Sequence, residues 1–230
     1  MGFLKKFFKS VFHEGAPTVK ASSFEELSDE QLEAHLGVSK YGDFVLTDAV
    51  RPAFDLKVVP AQGYRHDSYR DPEAKTSVPV LMGAVSKEKI FEAFLDLLDP
   101  LGNEVDVVLE TSHHKSGGGH TDLYREQIDL PVLKSILWEF EDLLTNDGCT
   151  GIAVLNPGIP QEVQFDEHKL LIVYGQPLDV YEEIFQSHRV QGKNGLKFLT
   201  EAEHVHTSSD KLYDEFQTLC MRLGMESEEH

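Results

Sequence analysis

Thirteen consecutive residues could do chemistry: Glu110-Thr111-Ser112-His113-His114-Lys115-Ser116-Gly117-Gly118-Gly119-His120-Thr121-Asp122. Histidine imidazoles and carboxylates together suit a divalent ion of the zinc type. His113, His120 and Asp122 would hold it, and Glu110 or another carboxylate would activate water, which is the set-up of a metal-dependent hydrolase. Adjacent histidines in extended chain point to opposite sides, so His113 and His114 do not easily share an ion. The same loop offers a different chemistry. Successive glycines let backbone N–H groups turn inward around an anion. Ser116, Gly117, Gly118, Gly119 and Thr121 would then cradle a small anionic ligand, as in a sensor. Neither pattern is a known signature: the spacing H-H-x5-H-x-D matches no metal motif, and the glycine run is not a P-loop. A plain solvated loop weighs more than either.

The remaining candidates are weaker. His204 and His206 bracket Val205, and in a strand they share a face, which is good ligand geometry. Two ligands without a third favour a polar edge strand instead. Cys149 and Cys220 are too few for a disulfide framework or a cysteine-based metal site, which suits a reducing cytoplasm. The nucleophile motif G-x-S-x-G is absent, Cys149 has no assignable histidine partner, and Trp138 and Tyr174 sit in apolar-patterned segments. Pro60 to Ser77 reads as a long polar loop, with Tyr-Arg twice in Tyr64 to Arg70, and a solvated loop outweighs an anion site there.

Several elements must position these groups. Ser28 with Gln31 forms a capping box ahead of a helix that should stop at Gly37. Phe44 to Leu46 reads as a short strand, and Phe54, Leu56 and Val58 alternate with polar residues as in a half-buried strand. Val78 to Val85, Val105 to Leu109, Gly151 to Leu155 and Lys169 to Tyr174 read as buried strands. Helices are expected after Ser86, from Asp129 and Pro131 to an end at Asn146-Asp147-Gly148, from Pro177 to Phe185, and from Ser209 to Leu223. An edge strand is expected within Leu196 to His206. Strand–helix–strand–helix–strand from Val78 to Leu155 is the pattern of parallel crossovers. The expected fold class is therefore α/β, with a mixed, mainly parallel sheet of about five or six strands and helices packed on it. In that arrangement the loop after Leu109 and the turn after Leu155 share one end of the sheet. Asn156 would join the His/Gly loop there, with Glu162 and His168 flanking the next turn, and the 60–77 segment would lie at the other end.

Composition narrows the function classes. The 230-residue chain carries a formal charge of −19, which argues against nucleic acid as a partner. The charge is uneven. Residues 1–13 hold Lys5, Lys6 and Lys9 and no acid, leaving 18 basic and 40 acidic residues in the rest. Met1 to Phe12 reads as an amphipathic helix, with Phe3, Phe7 and Phe8 on one face and Lys5, Lys6 and Lys9 on the other. It could dock on the protein itself or on a partner protein, lie on an anionic membrane surface, or stay mobile. The division expected is residues 1–20 as basic helix and linker, 21–225 as a single α/β domain, and 226–230 as an acidic tail. With no catalytic constellation in view, the sequence leans away from an enzyme. It favours a cytoplasmic binding or adaptor module with a protein partner, or with peripheral contact at the inner membrane surface. The metal-dependent hydrolase and the anion sensor are the alternatives. No cofactor is established, and a divalent metal is the one the residues suggest.

Overall fold

The computed structural model describes residues 23–24, 27–70, 77–113 and 120–225. The amphipathic helix at 1–12, the linker to residue 20, the acidic tail and residues 114–119 of the His/Gly loop lie outside them. So do the candidates Phe3, Lys5, Lys6, Phe7, Phe8, Lys9, Ser116, Gly117, Gly118 and Gly119.

The first described helix, α1 (Asp29–Leu36), starts as its sequence requires. The Ser28 hydroxyl accepts from the Gln31 N–H at 3.2 Å, and the Gln31 side chain accepts from the Ser28 N–H at 3.0 Å. A two-stranded hairpin follows, β1 (Lys40–Tyr41) and β2 (Phe44–Val45), and then the short β3 (Val50–Pro52). Phe54 to Val58, expected as a strand, forms a turn instead, with Leu56 at φ 46°.

The body is a seven-stranded sheet. Its strands are β4 (Gly63–Arg70), β5 (Ser77–Ala84), β6 (Glu104–Thr111), β7 (Thr121–Asp129), β8 (Thr150–Asn156), β9 (Gln161–Phe165) and β10 (Leu170–Tyr174). They run in the order β4-β5-β10-β9-β8-β6-β7, and every neighbouring pair is antiparallel. The expected mainly parallel sheet of five or six strands is thus overturned. The reason lies in three strands that hydrophobic patterning does not reveal. β4 and β7 are the two edges and carry mostly exposed or half-buried polar residues, and β9 buries Gln161, Glu162 and Gln164. The strands joined through helix α2 (Lys87–Leu97), β5 and β6, do run in the same direction. They are not neighbours, however, because β10, β9 and β8 lie between them.

On one face of the sheet, Leu81, Val107, Leu109, Val154, Phe165 and Leu171 pack against α2, α3 (Leu130–Trp138), α4 (Glu141–Asn146), α5 (Asp179–Ser187) and α6 (Asp210–Leu223). The single helix expected from Asp129 and Pro131 to Asn146 is two, parted at Glu139 and Phe140, the second ending at Asn146 as expected. On the other face, Val80, Ala84, Leu170 and Ile172 form a second cluster with Phe44, Leu46, Val50 and Phe198. Ser86, read as a helix cap, turns its hydroxyl to the Val45 N–H at 2.8 Å and so ties the hairpin to this face. Ser209 does cap α6, accepting from the Leu212 N–H at 3.3 Å, and Gly224 closes it at φ 68°. Of the expected edge strand only β11 (His204–His206) forms, antiparallel to β3.

Antiparallel pairing also relocates the candidates. Thr111 faces Thr150, whereas Leu155 faces Asp106, so Asn156 sits at the far end of β8, about 20 Å from the His/Gly loop. It binds the Leu101 carbonyl at 2.6 Å and the Gly158 N–H at 2.7 Å, a turn-closing role. Among the described residues no helix is long and apolar enough to cross a membrane.

Candidate metal centre

The end of the sheet where β6 and β9 finish and β8 and β10 begin carries most of the chemistry-bearing side chains. The turn from Asp166 to Lys169 is pinned from several sides. Asp166 Oδ1 accepts from the Leu170 N–H at 2.7 Å, and the Asp166 carbonyl accepts from the Lys169 N–H at 3.0 Å. Lys169 takes φ 61°, and its buried ammonium donates to the Thr150 carbonyl at 2.8 Å and lies 5.2 Å from the Phe165 ring. Burial lowers its pKa to about 8, against the charges of Asp147, Asp166 and Glu167. The turn holds up His168, whose Nδ1 sits 3.0 Å from Asp166 Oδ2.

β11 brings two more histidines to the same place. His204 and His206 share a face, as alternate strand residues must. His204 Nδ1 lies 2.8 Å from the Ala202 carbonyl, and His206 Nδ1 lies 2.6 Å from the Gly148 carbonyl. Gly148 is required there: a Cβ would stand 2.4 Å from the Ala49 carbonyl oxygen. The His168 ring is 4.9 Å from that of His204 and 4.7 Å from that of His206, centre to centre. One ligating nitrogen from each of the three rings lies within 4.8 Å of the others. His204 Nε2 and His206 Nε2 are 3.1 Å apart. Two imidazoles bound to zinc at about 2.0–2.1 Å in a tetrahedron stand about 3.3 Å apart.

The electrostatics favour the neutral, ligating form of two of the three histidines. Burial, together with the neighbouring His168, holds His204 and His206 below the ordinary histidine pKa, against the carbonyls that bind their Nδ1 atoms. Burial also pulls His168 down, but the Asp166 carboxylate overrides it and raises the pKa. A carboxylate behind a ligating histidine fixes its tautomer and increases its basicity. Beside His168 and Lys169 an apolar cavity of about 30 Å³, walled by Phe44, Leu46, Leu170 and Phe198, has room for about one water.

The residues singled out in the sequence are distributed differently. His113 Nδ1 lies 2.8 Å from Thr111 Oγ1, and its Nε2 lies 3.0 Å from both Ser208 Oγ and Asp147 Oδ2. Its ring packs on Tyr213 and Phe216. Its ligating neighbours are Asp147 and Cys149, not His120 and Asp122. His120 is exposed, 3.9 Å from Glu167, and Asp122 accepts from the Tyr124 hydroxyl at 3.2 Å. Thr121 opens β7 opposite Thr111. Burial, then the charges of Asp122, Glu162 and Asp166, push the Glu110 pKa up to about 8, which favours its protonated form at neutral pH. Burial likewise raises the Cys149 thiol, which leaves it a poor nucleophile. The member of this cluster that sequence reasoning missed is His168. Its one signal is the charged stretch Asp166-Glu167-His168-Lys169 between apolar segments, and nothing in it points to His204. No protein-family model, curated protein or solved structure matches the chain.

Proposed function

We propose that this protein binds one divalent ion of the zinc type through His168, His204 and His206, and uses it to activate water in a hydrolytic reaction. The observation that carries the reading is the 3.1 Å approach of two Nε2 atoms whose rings are already committed. A carbonyl oxygen only accepts, so His204 and His206 both donate from Nδ1. Neutral rings in that tautomer turn two lone pairs toward each other. A cation between them removes the repulsion: either a proton, which burial opposes, or a metal ion, which also takes up His168.

Three neutral imidazoles leave an ion its full charge and a coordination position for water, the arrangement of catalytic rather than structural zinc. Such an ion supplies acidified water and a Lewis acid for a carbonyl or phosphoryl oxygen. Glu167 is the base in this scheme. It is next to His168, its side chain is 20% exposed, and it accepts from the Ser112 hydroxyl at 3.1 Å.

The small adjoining cavity favours a second reading, the binding module. Here the ion clamps β11 to the Asp166–Lys169 turn, and a protein partner is met by the acidic surface and residues 1–13. A membrane surface is the other contact open to that segment.

The test is elemental analysis of tag-free protein purified without added metal or chelator, followed by zinc titration and a screen of phosphoester, ester and amide substrates. About one ion per chain, lost in His206→Ala, is expected. Turnover that disappears in Glu167→Gln supports the hydrolase, and metal without turnover supports the clamp. Failure of zinc, cobalt, nickel and manganese all to bind would remove both.

A further inference from the structure

Away from the metal centre, a pocket of about 330 Å³ opens between the β1–β2 hairpin and the segment that follows α5. That volume suits a small molecule. Tyr41 and Phe44 give it an aromatic side, Gln62 lies at the start of β4, and Arg189 and Lys193 bring two cations. The wall carrying the cations is fixed in place. The Tyr64 N–H donates to the Gln191 carbonyl at 3.1 Å, and the Lys193 N–H donates to the Tyr64 carbonyl at 2.8 Å. The Gln62 amide donates to the Arg189 carbonyl at 3.2 Å, and a Cβ on Gly192 would stand 3.1 Å from the Tyr64 ring. Arg189 itself takes φ 62°, a left-handed backbone just past a helix end that usually belongs to glycine or asparagine.

The acids of the described residues do not neutralise these two cations. Acids outnumber bases 40 to 21 in this chain. Arg51, Arg65, Lys87, Lys134 and Arg222 each meet a carboxylate, whereas among the described residues Lys40, Lys89, Arg125 and Lys197 do not. Among the described residues no carboxylate pairs with Arg189 or Lys193, and the Lys193 ammonium binds a backbone carbonyl, that of Gln62, at 2.6 Å. A guanidinium fork that meets no carboxylate among the described residues, next to an ammonium and an aromatic side, suits recognition of an oxyanion on a small organic body.

We infer that this pocket binds a small organic oxyanion, held by Arg189 and Lys193 with its body against Tyr41 and Phe44. The oxyanion could be a carboxylate or a phosphate monoester. Asp43, in the same pocket, distinguishes the two. It accepts the ammonium of an amino acid and repels a phosphate dianion.

Thermal unfolding of the full chain tests this with 10 mM L-phenylalanine, L-glutamate, AMP or inorganic phosphate, against sodium chloride at matched ionic strength. At least one of the organic anions is expected to raise Tm by about 2 °C or more. Arg189→Gln, a surface change, should weaken that ligand at least tenfold while the unliganded Tm stays within about 1 °C. If Asp43→Asn weakens an amino acid, the carboxylate source is right; if it strengthens AMP, the phosphate source is right. No shift with any of the organic anions overturns the inference, as does a shift that survives Arg189→Gln or one matched by inorganic phosphate alone. The metal centre is untouched by either result, because none of its ligands lines this pocket.

Discussion

Two clusters of side chains that could ligate a metal sit at the same end of the sheet, His113 with Asp147 and Cys149, and His168 with His204 and His206, yet their polar atoms are used in opposite ways. In the first, Asp147 is fully buried and saturated. It accepts from the Thr150 hydroxyl, faces His113 at 3.0 Å, and takes the Cys149 N–H at 3.4 Å. Burial alone would raise its pKa, but hydrogen bonds from His113, Ser208 and Thr150 override it and hold the carboxyl below the usual range. That is a structural knot tying the loop after β6 to the start of α6. In the second cluster, hydrogen bonds engage the Nδ1 side of each ring, and Nε2 of His204 faces Nε2 of His206. Ligating atom types alone do not make a metal site. What would make the second cluster a metal site is that Nε2 of His204 and Nε2 of His206 face each other.

The largest expected effect breaks the knot. Asp147→Ala strands the polar atoms around it and should cost about 3–5 kcal/mol in urea unfolding at pH 7. Asp147→Asn, which keeps an acceptor, should cost less. Because the native carboxyl titrates low, its contribution is present at neutral pH and is lost as pH falls below about 4. A stability–pH curve should therefore lose its acid limb in the variant, and an unchanged limb would mean that Asp147 is no anchor.

The next effect belongs to the other cluster. Zinc at one hundred times its Kd should stabilise the wild type by about 2.7 kcal/mol. His206→Ala should abolish this gain, whereas a gain that persists would move the ion elsewhere.

Glu162 sharpens the contrast between satisfied and unsatisfied carboxyls. It is buried like Asp147, but among the described residues neither of its oxygens has a hydrogen-bond partner, and burial raises its pKa to about 8. Between about pH 4.5 and 8 the folded protein keeps a proton that the unfolded chain has released, so stability falls as pH rises through that window. Glu162→Met should stabilise by about 1–3 kcal/mol at pH 7 and flatten the decline. Destabilisation at pH 8 would contradict this. The smallest effect is at Cys149. If the first cluster, to which Cys149 belongs, binds no ion, Cys149→Ser should leave zinc affinity unchanged within about twofold, as read by competition with a chromophoric chelator.

Much of this architecture could be read from local signals. The capping box at Ser28, the Ser209 and Gly224 ends of α6, and the apolar strands β5, β6, β8 and β10 follow from propensity and periodicity. The topology could not. β4 and β7 face solvent on much of their length, as edge strands can, and β9 carries glutamine and glutamate where a core strand normally carries valine. Each missed strand hid one antiparallel neighbour, and the sheet then looked parallel. The site divided in the same way. His204-x-His206 is visible because alternation is local. His168 joins it only through tertiary packing, across a turn whose geometry depends on Asp166 and on Lys169 reaching Thr150.

X-ray absorption at the zinc edge of the zinc-loaded protein tests the central claim most directly. Three histidine ligands predict a first shell of three nitrogens at about 2.0–2.1 Å plus one light atom, with the outer-shell scattering of imidazole. A sulfur at about 2.3 Å would place the ion on Cys149. A shell of oxygens without imidazole scattering would place it on surface carboxylates, and either result would contradict the account.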